Sequence, residues 1–239
     1  MKLPLLAVLV LLPSPLFAAS QAVELKFKVG EQTFVKKLSM ADNGMVNFVG
    51  SVDSTDGEAR RKIIFNGTAG KLSDDGFVSV ECQLEIQSGS QSETFQSQSA
   101  VQLRPGDSLA VAQCGQYSAR LTVPGKKNAA PNHKNFRVTA EIAGGDGKAK
   151  CSQVSSIGSQ SNLVSSLTLG EARKHFILNG VLTDDKGGYA IQHQLELSSA
   201  GGGKGGLQQQ GSLALTPGKS VPAASGGGAK IGLRLDPAS

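Results

Sequence analysis

The chain has 239 residues, a formal net charge of +5 and a pI near 9.1, with 39% hydrophobic and 5% aromatic residues. This length suits one large domain or two of ordinary size. The chain has no Trp, and its Lys and Arg residues are not interleaved with stacking aromatics as single-strand binders require, so the composition argues against a nucleic-acid partner.

The amino terminus has the pattern of a secretory signal peptide. Lys2 precedes the apolar run 3–12, and small residues from Ala18 to Ala22 follow Pro13 and Pro15. The run is too short to span a bilayer as a helix, and no later stretch reaches about 18 consecutive apolar residues. We therefore expect residues 1–22 to be a cleaved signal peptide, the mature chain to have no transmembrane segment, and the protein to be periplasmic or secreted.

An internal repeat organises the rest of the chain. Residues 57–67 recur at 170–180 with seven of eleven positions identical, at a spacing of 113 residues. Shorter matches follow in the same order at spacings of 110 to 112, and the apolar pattern of residues 25–29 can be laid on 138–142 at 113. A fixed period of this kind indicates a duplicated module. We expect two homologous domains, at 23–124 and 136–239, joined by a polar, basic linker at 125–135.

Each copy has the pattern of a β domain. Residues 78–86 alternate apolar and polar side chains, as do 189–197 in the second copy, which is typical of strands with one buried face. Gly- and Pro-containing steps such as Asn66-Gly67, Pro105-Gly106 and Gly187-Gly188 predict turns. The predicted fold is all-β, with two tandem homologous antiparallel β-sandwich-like domains. A transmembrane barrel would carry aromatic girdles, whereas this chain has two Tyr and no Trp.

The three cysteines are Cys82, Cys114 and Cys151. An exported chain permits disulfides, and Cys82 and Cys114 belong to the same copy. We expect a bond between Cys82 and Cys114, against the alternative of two small buried thiols, with Cys151 left over.

The sequence offers no catalytic, cofactor-binding or metal-binding motif. The three histidines lie at His133, His175 and His193 with no metal-ligand spacing, and no nucleophile motif accompanies the many serines. The Asp pairs 74–75 and 184–185 recur in both copies and could bind Ca²⁺, but Asp is also a common turn residue. We expect no cofactor and no enzymatic activity.

These features predict an exported bacterial envelope protein with a binding or structural role, such as an accessory subunit of a pilus or secretion assembly, or an adhesin. The expected partners are other envelope proteins or further copies of the chain. The alternative is a periplasmic or secreted hydrolase that acts on an envelope polymer.

Overall fold

A computed structural model describes residues 20–41, 44–52, 61–87, 94–126, 132–145, 147–185, 187–200 and 206–238. All regular elements in these ranges are β-strands. The first eight are β1 (Ser20–Val29), β2 (Gln32–Ala41), β3 (Gly44–Val52), β4 (Arg61–Leu72), β5 (Val78–Gln87), β6 (Thr94–Leu103), β7 (Ser108–Cys114) and β8 (Tyr117–Thr122). The second eight are β9 (Asn135–Gly144), β10 (Gly147–Ser156), β11 (Gln160–Leu169), β12 (Ala172–Asp185), β13 (Gly188–Ser199), β14 (Leu207–Leu215), β15 (Ser220–Gly226) and β16 (Ala229–Ala238).

The strands form two eight-stranded antiparallel sheets, which confirms the all-β prediction. Sheet 1 has the order β15-β16-β9-β10-β7-β8-β1-β2, and sheet 2 has the order β14-β13-β12-β11-β6-β5-β4-β3. The sheets pack as a sandwich because most strands alternate apolar and polar side chains, so one face of each sheet is apolar. In β5, for example, Val78, Val80, Cys82, Leu84 and Ile86 are buried, and the side chains between them are half-buried or exposed. Phe95 of sheet 2 stacks on Tyr117 of sheet 1, with ring centroids 5.3 Å apart.

The strand order of the first half is repeated in the second. In sheet 1, strands of the first half have the order β7-β8-β1-β2, and strands of the second half have the matching order β15-β16-β9-β10. In sheet 2, the order β6-β5-β4-β3 likewise matches β14-β13-β12-β11. Each strand of the first half thus holds the place of the strand numbered eight higher in the second half. The two halves therefore lie side by side along the sandwich with the same arrangement of strands.

Strand register repeats as closely as strand order. Ser108 pairs with Thr122 in the β7–β8 hairpin, and Ser220 pairs with Arg234 in β15–β16, both 112 residues further on. The bulge after Ala110 recurs after Pro222. The Pro-Gly turns before these hairpins also match, because Gly106 N–H donates to Val123 O at 2.7 Å and Gly218 N–H donates to Leu235 O at 2.8 Å. Both glycines have positive φ, 90° and 81°, a conformation that favours glycine.

The two halves share both sheets. Residues 151–153 of β10 pair with 112–114 of β7, and residues 162–165 of β11 pair with 95–98 of β6. We call this seam the internal junction. The predicted linker, 125–135, lies partly outside the described residues, at 127–131. Two residues near the end of this segment, Asn132 and Asn135, contact the first half and are 5% and 0% exposed. The side-chain amide of each donates a hydrogen bond to the carbonyl oxygen of Gln102 at 2.7 Å.

Two details of the sequence prediction are wrong. Asn66-Gly67 lies inside β4 and forms no turn. The amino-terminal register is also shifted, because Leu25 pairs with Leu121 in the first half while Ala140 pairs with Leu233 in the second. The equivalent residues of β1 and β9 are therefore 115 apart rather than 113. A shift of two residues keeps the same side chains on the buried face, so apolar alternation by itself does not reveal it.

Candidate binding face

A row of eight amide side chains crosses the outer face of sheet 2, one from every strand. The strand register places each directly opposite the next. In spatial order the row is Asn47, Asn66, Gln83, Gln98, Asn162, Asn179, Gln194 and Gln210. All eight side chains are exposed or half-buried, because these positions alternate with the core-facing ones. We call this set the amide row.

A second row runs beside the amide row, two residues along each strand. It consists of Val49, Ile64, Glu85, Gln96, Val164, Ile177, Glu196 and Gln208, again in direct cross-strand register. None of these side chains is buried. We call this set the mixed row.

The two halves carry identical residues at all equivalent positions of both rows. The amide row reads Asn-Asn-Gln-Gln twice, and the mixed row reads Val-Ile-Glu-Gln twice. The core is less uniform, since Phe65 corresponds to Leu178 and Phe95 to Leu207. Packing tolerates exchanges between apolar residues of similar size. Identity on a solvent-facing surface therefore indicates a shared requirement of that surface itself.

Two depressions lie along the amide row at equivalent places. The first has a volume of about 460 Å³ and includes Asn66, Gln83 and Gln98 among its lining residues. The second has a volume of about 380 Å³ and includes the counterparts Asn179, Gln194 and Gln210. Gln160, at the start of β11, lines both depressions and lies between the halves. The two hollows thus follow one line across the strands, with amides along one side.

The depressions have a floor of backbone and small or buried residues. The floor of the first is formed at Gly67, Cys82 and Ser99, which are in cross-strand register, and that of the second at Gly180, His193 and Gly211. Gly67 and Gly180 are core-facing positions of β4 and β12, so on the outer side the floor is formed by backbone. The arrangement can receive an extended polar chain that exchanges hydrogen bonds with the amides.

Two amide oxygens near the middle of the row lack partners. The Oδ1 atoms of Asn162 and Asn179 are buried and accept no hydrogen bond within the described residues. A buried acceptor without a donor is costly, so turning these amide groups outward to a ligand or partner that brings donors would be favourable.

The disulfide joins Cys114 to Cys151, and the predicted bond between Cys82 and Cys114 is wrong. Cys114 in β7 and Cys151 in β10 lie directly opposite each other in sheet 1, across the internal junction. Cys82 lies in β5 of sheet 2, opposite Gly67 and Ser99, and is a free, buried cysteine. The expectation failed because it paired cysteines within one copy, whereas the sheet pairs strands from different halves.

We expect Cys82 to resist alkylation in the folded protein. Desolvation raises the pKa of its thiol to about 12, although a hydrogen bond from the Ser99 backbone lowers it. Little reactive thiolate therefore forms at pH 8, and burial also restricts access. Iodoacetamide followed by mass spectrometry should label Cys82 only after denaturation. Rapid labelling of the native protein would contradict this placement.

Of the other residues considered from the sequence, Asp74 and Asp75 lie in a turn, and Asp184 and His175 lie on a strand. Ser73 N–H donates to Phe77 O at 2.8 Å, closing the turn that holds Asp74 and Asp75. Asp75 pairs with Lys134, and the hydrogen bond from that ammonium holds the carboxyl pKa below its usual range. Asp184 is the last residue but one of β12, and His175 lies on the same strand. Within the described ranges, no group of three His, Cys, Asp or Glu side chains could hold a metal ion.

Among the residues the structure describes, no helix is long and apolar enough to cross a membrane. Comparison with known proteins gave no match to a protein-family model, to a curated protein or to a solved structure.

Proposed function

We propose that the chain is an exported bacterial envelope protein with a binding or structural role, and that the outer face of sheet 2 is its working surface. The observation that carries this proposal is the identity of both exposed rows in the two halves. Exposed positions drift unless something acts on them. A duplicated module whose two copies retain the same outward-facing residues fits a protein that binds a partner with a repeating structure.

Two further observations support export. Residues 1–22 have the pattern of a secretory leader, and buried side chains of β1 begin at Val23, immediately after the predicted cleavage region. The bond between Cys114 and Cys151 fits an oxidising compartment such as the periplasm or the exterior of the cell. Residues 1–19 lie outside the described residues.

The chemistry of the face favours a polar partner. Amides both donate and accept, and the amide row itself carries no charge, while Glu85 and Glu196 of the mixed row disfavour an anionic polymer, so the face suits a chain of neutral polar groups. The buried, unpartnered oxygens of Asn162 and Asn179 would receive donors from such a partner once their amide groups turn outward. The mixed row adds apolar contact from Val164 and Ile177 next to them.

We expect replacement of Gln83 and Gln194 by Ala to reduce binding. The two residues are equivalent, line the two depressions and are half-buried. Retention of the protein in washed envelopes should fall about tenfold, the effect of losing about 1.4 kcal/mol. The free energy of unfolding should change by no more than about 0.5 kcal/mol, because the substitutions lie on the surface.

The matched control is Gln113→Ala. Gln113 is an exposed amide on a strand of sheet 1, away from the amide row. This variant should keep full retention. Equal loss in both variants, or none in the double variant, would remove the amide row from the proposed function.

The hydrolase alternative needs a carboxylate in a cleft. Glu81 is the acidic residue that lines the first depression, while the equivalent residue of the second is Gln192. Hydrolysis of an envelope polymer that is abolished by Glu81→Gln would favour the alternative.

A further inference from the structure

Each end of the sandwich has two edge strands. β2 and β3 form one end, and β15 and β14 form the other. Within the described residues, no strand pairs with the outer side of these four. Edge strands carry backbone N–H and C=O groups that are free to pair with another strand.

The two ends match the two sides of the internal junction. That junction joins β10 and β11 of the second half to β7 and β6 of the first half. By strand order and register, β2 and β3 hold the places of β10 and β11, while β15 and β14 hold the places of β7 and β6. The edges at the two ends of the sandwich are therefore equivalent to the two edges that pair with each other at the internal junction.

We propose that copies of this chain associate head to tail, with β2 and β3 of one copy pairing with β15 and β14 of the next. This deepens the structural role proposed above by naming a second copy of the chain as a partner. The contact is between two different surfaces, so each added copy leaves both kinds of edge open. Such a contact extends into a filament unless rotation closes it into a ring.

The internal junction predicts the register between copies. Leu25 and Ala140 are equivalent, so their partners on the neighbouring strand, Lys36 and Cys151, are equivalent too. In the same way Ala229 and Tyr117 are equivalent, and so are their partners Gly226 and Cys114. Cys151 lies opposite Cys114 at the junction. Lys36 of one copy should therefore lie opposite Gly226 of the next.

The amide row of sheet 2 is consistent with the same register. At the internal junction Asn162 lies opposite Gln98. Transferred to the ends, this places Asn47 of one copy opposite Gln210 of the next, and these are the two terminal members of the row. The mixed row continues too, because Val49 would face Gln208 as Val164 faces Gln96. Both rows would then run without interruption through the assembly, as Asn and Gln ladders do in stacked sheets.

Three of the five exposed large apolar side chains among the described residues lie at the edge that would be covered, and the other two are Leu72 and Ile157. Met45, Val49 and Val35, on β3 and β2, are 77%, 58% and 49% exposed. Phe48 is half-buried at this edge, whereas Leu163, which holds its place at the internal junction, is 0% exposed. A second copy would bury Phe48 in the same way.

Pro222 on β15 does not obstruct the pairing. Proline cannot donate a backbone hydrogen bond, so its position on an edge strand matters. Pro222 corresponds to Ala110, while β10 pairs only with residues 112–114 of β7. The segment of β15 that would pair, residues 224–226, lies beyond the proline.

The contact between copies lacks the covalent bond of the internal junction. Lys36 and Gly226 stand where the junction has Cys151 and Cys114, and the Lys36 ammonium lies over the Phe48 ring, 5.1 Å from its centroid. Assembly is therefore reversible and depends on concentration.

The test restores the missing disulfide between copies. Lys36→Cys is combined with Gly226→Cys in the purified mature chain. A Cβ at Gly226 would have its nearest contact at Leu207 Cδ1, at an ordinary 3.7 Å, so the substitution fits. Oxidation should give a ladder of dimers, trimers and longer species that disappears on reduction. The control, Lys37→Cys with Gly226→Cys, directs one thiol to the opposite face of β2 and should give at least tenfold less.

A second measurement covers a failure of the double variant to fold. The weight-average mass of the wild-type protein in sedimentation should rise with concentration past that of a dimer, and Phe48→Glu should keep it at the monomer value. A ladder that stops at dimers, equal ladders in both cysteine pairs, or wild-type protein that stays monomeric would overturn head-to-tail assembly. Loss of envelope retention on changing Gln83 and Gln194, with a monomeric wild type, would leave the proposed function standing without it.

Discussion

Replacing Cys114 with Ser should lower the free energy of unfolding by about 2 to 4 kcal/mol. The bond to Cys151 closes a loop of 37 residues and crosses the internal junction, where only short stretches of strand are paired. Its loss frees the unfolded chain and leaves the junction with non-covalent contacts alone. Urea unfolding of the oxidised wild type and of Cys114→Ser measures the difference.

Cys151→Ser should give the same loss as Cys114→Ser, and the double variant should add nothing further, because either change removes the same bond. Cys82→Ser is the matched control, since Cys82 is buried but free. Reduction of the wild type should also reproduce the loss. If Cys82→Ser abolished the bond and Cys151→Ser left it intact, the pairing across the junction would be wrong.

Phe95→Ala should cost about 3 to 5 kcal/mol. Phe95 is 0% exposed, stacks on Tyr117 between the two sheets and lies opposite Ser165 across the internal junction. Removing the ring leaves a cavity at the point where both sheets and both halves meet. Leu207, its counterpart in β14, lies at an open edge, and Leu207→Ala should cost less, about 2 kcal/mol.

The same variant tests how independent the predicted domains 23–124 and 136–239 are. Because both sheets continue through the junction, we expect a single unfolding transition that Phe95→Ala shifts as a whole. Calorimetry distinguishes this from the alternative. Two transitions, with only the earlier one shifted by Phe95→Ala, would show that the halves unfold as separate domains.

Local patterns in the sequence predicted the strands well. The alternation at 78–86 and 189–197 predicted strands that the structure contains as β5 and β13, and Pro105-Gly106 forms the predicted turn. Asn66-Gly67 misled because this pair is common in hairpin turns, yet here Asn66 belongs to the amide row and Gly67 to the floor of a depression. The pair recurs as Asn179-Gly180, but the repetition in the sequence does not show that both Asn residues lie on one face.

The sequence could predict only parts of the candidate binding face. The recurrence of Gln-Leu-Glu at 83–85 and 194–196 could have drawn attention to outward-facing residues, because its Gln and Glu point away from the core. Asn47 and Asn162 give little signal, since only the Asn and the Val two residues after it are shared between 44–50 and 159–165. Only the pairing of β3 with β4 and of β11 with β12 places them in the same row.

The sequence by itself determined that the chain repeats and that its repeats are made of strands, because apolar alternation is a local property that each strand carries within itself. The tertiary structure decided which strands lie side by side. Backbone groups pair with any edge of suitable register, so the chain does not reveal locally that β7 meets β10 and β6 meets β11. That choice gave Cys114 its partner, joined eight amides into one row, and left at the two ends the edges from which we infer assembly.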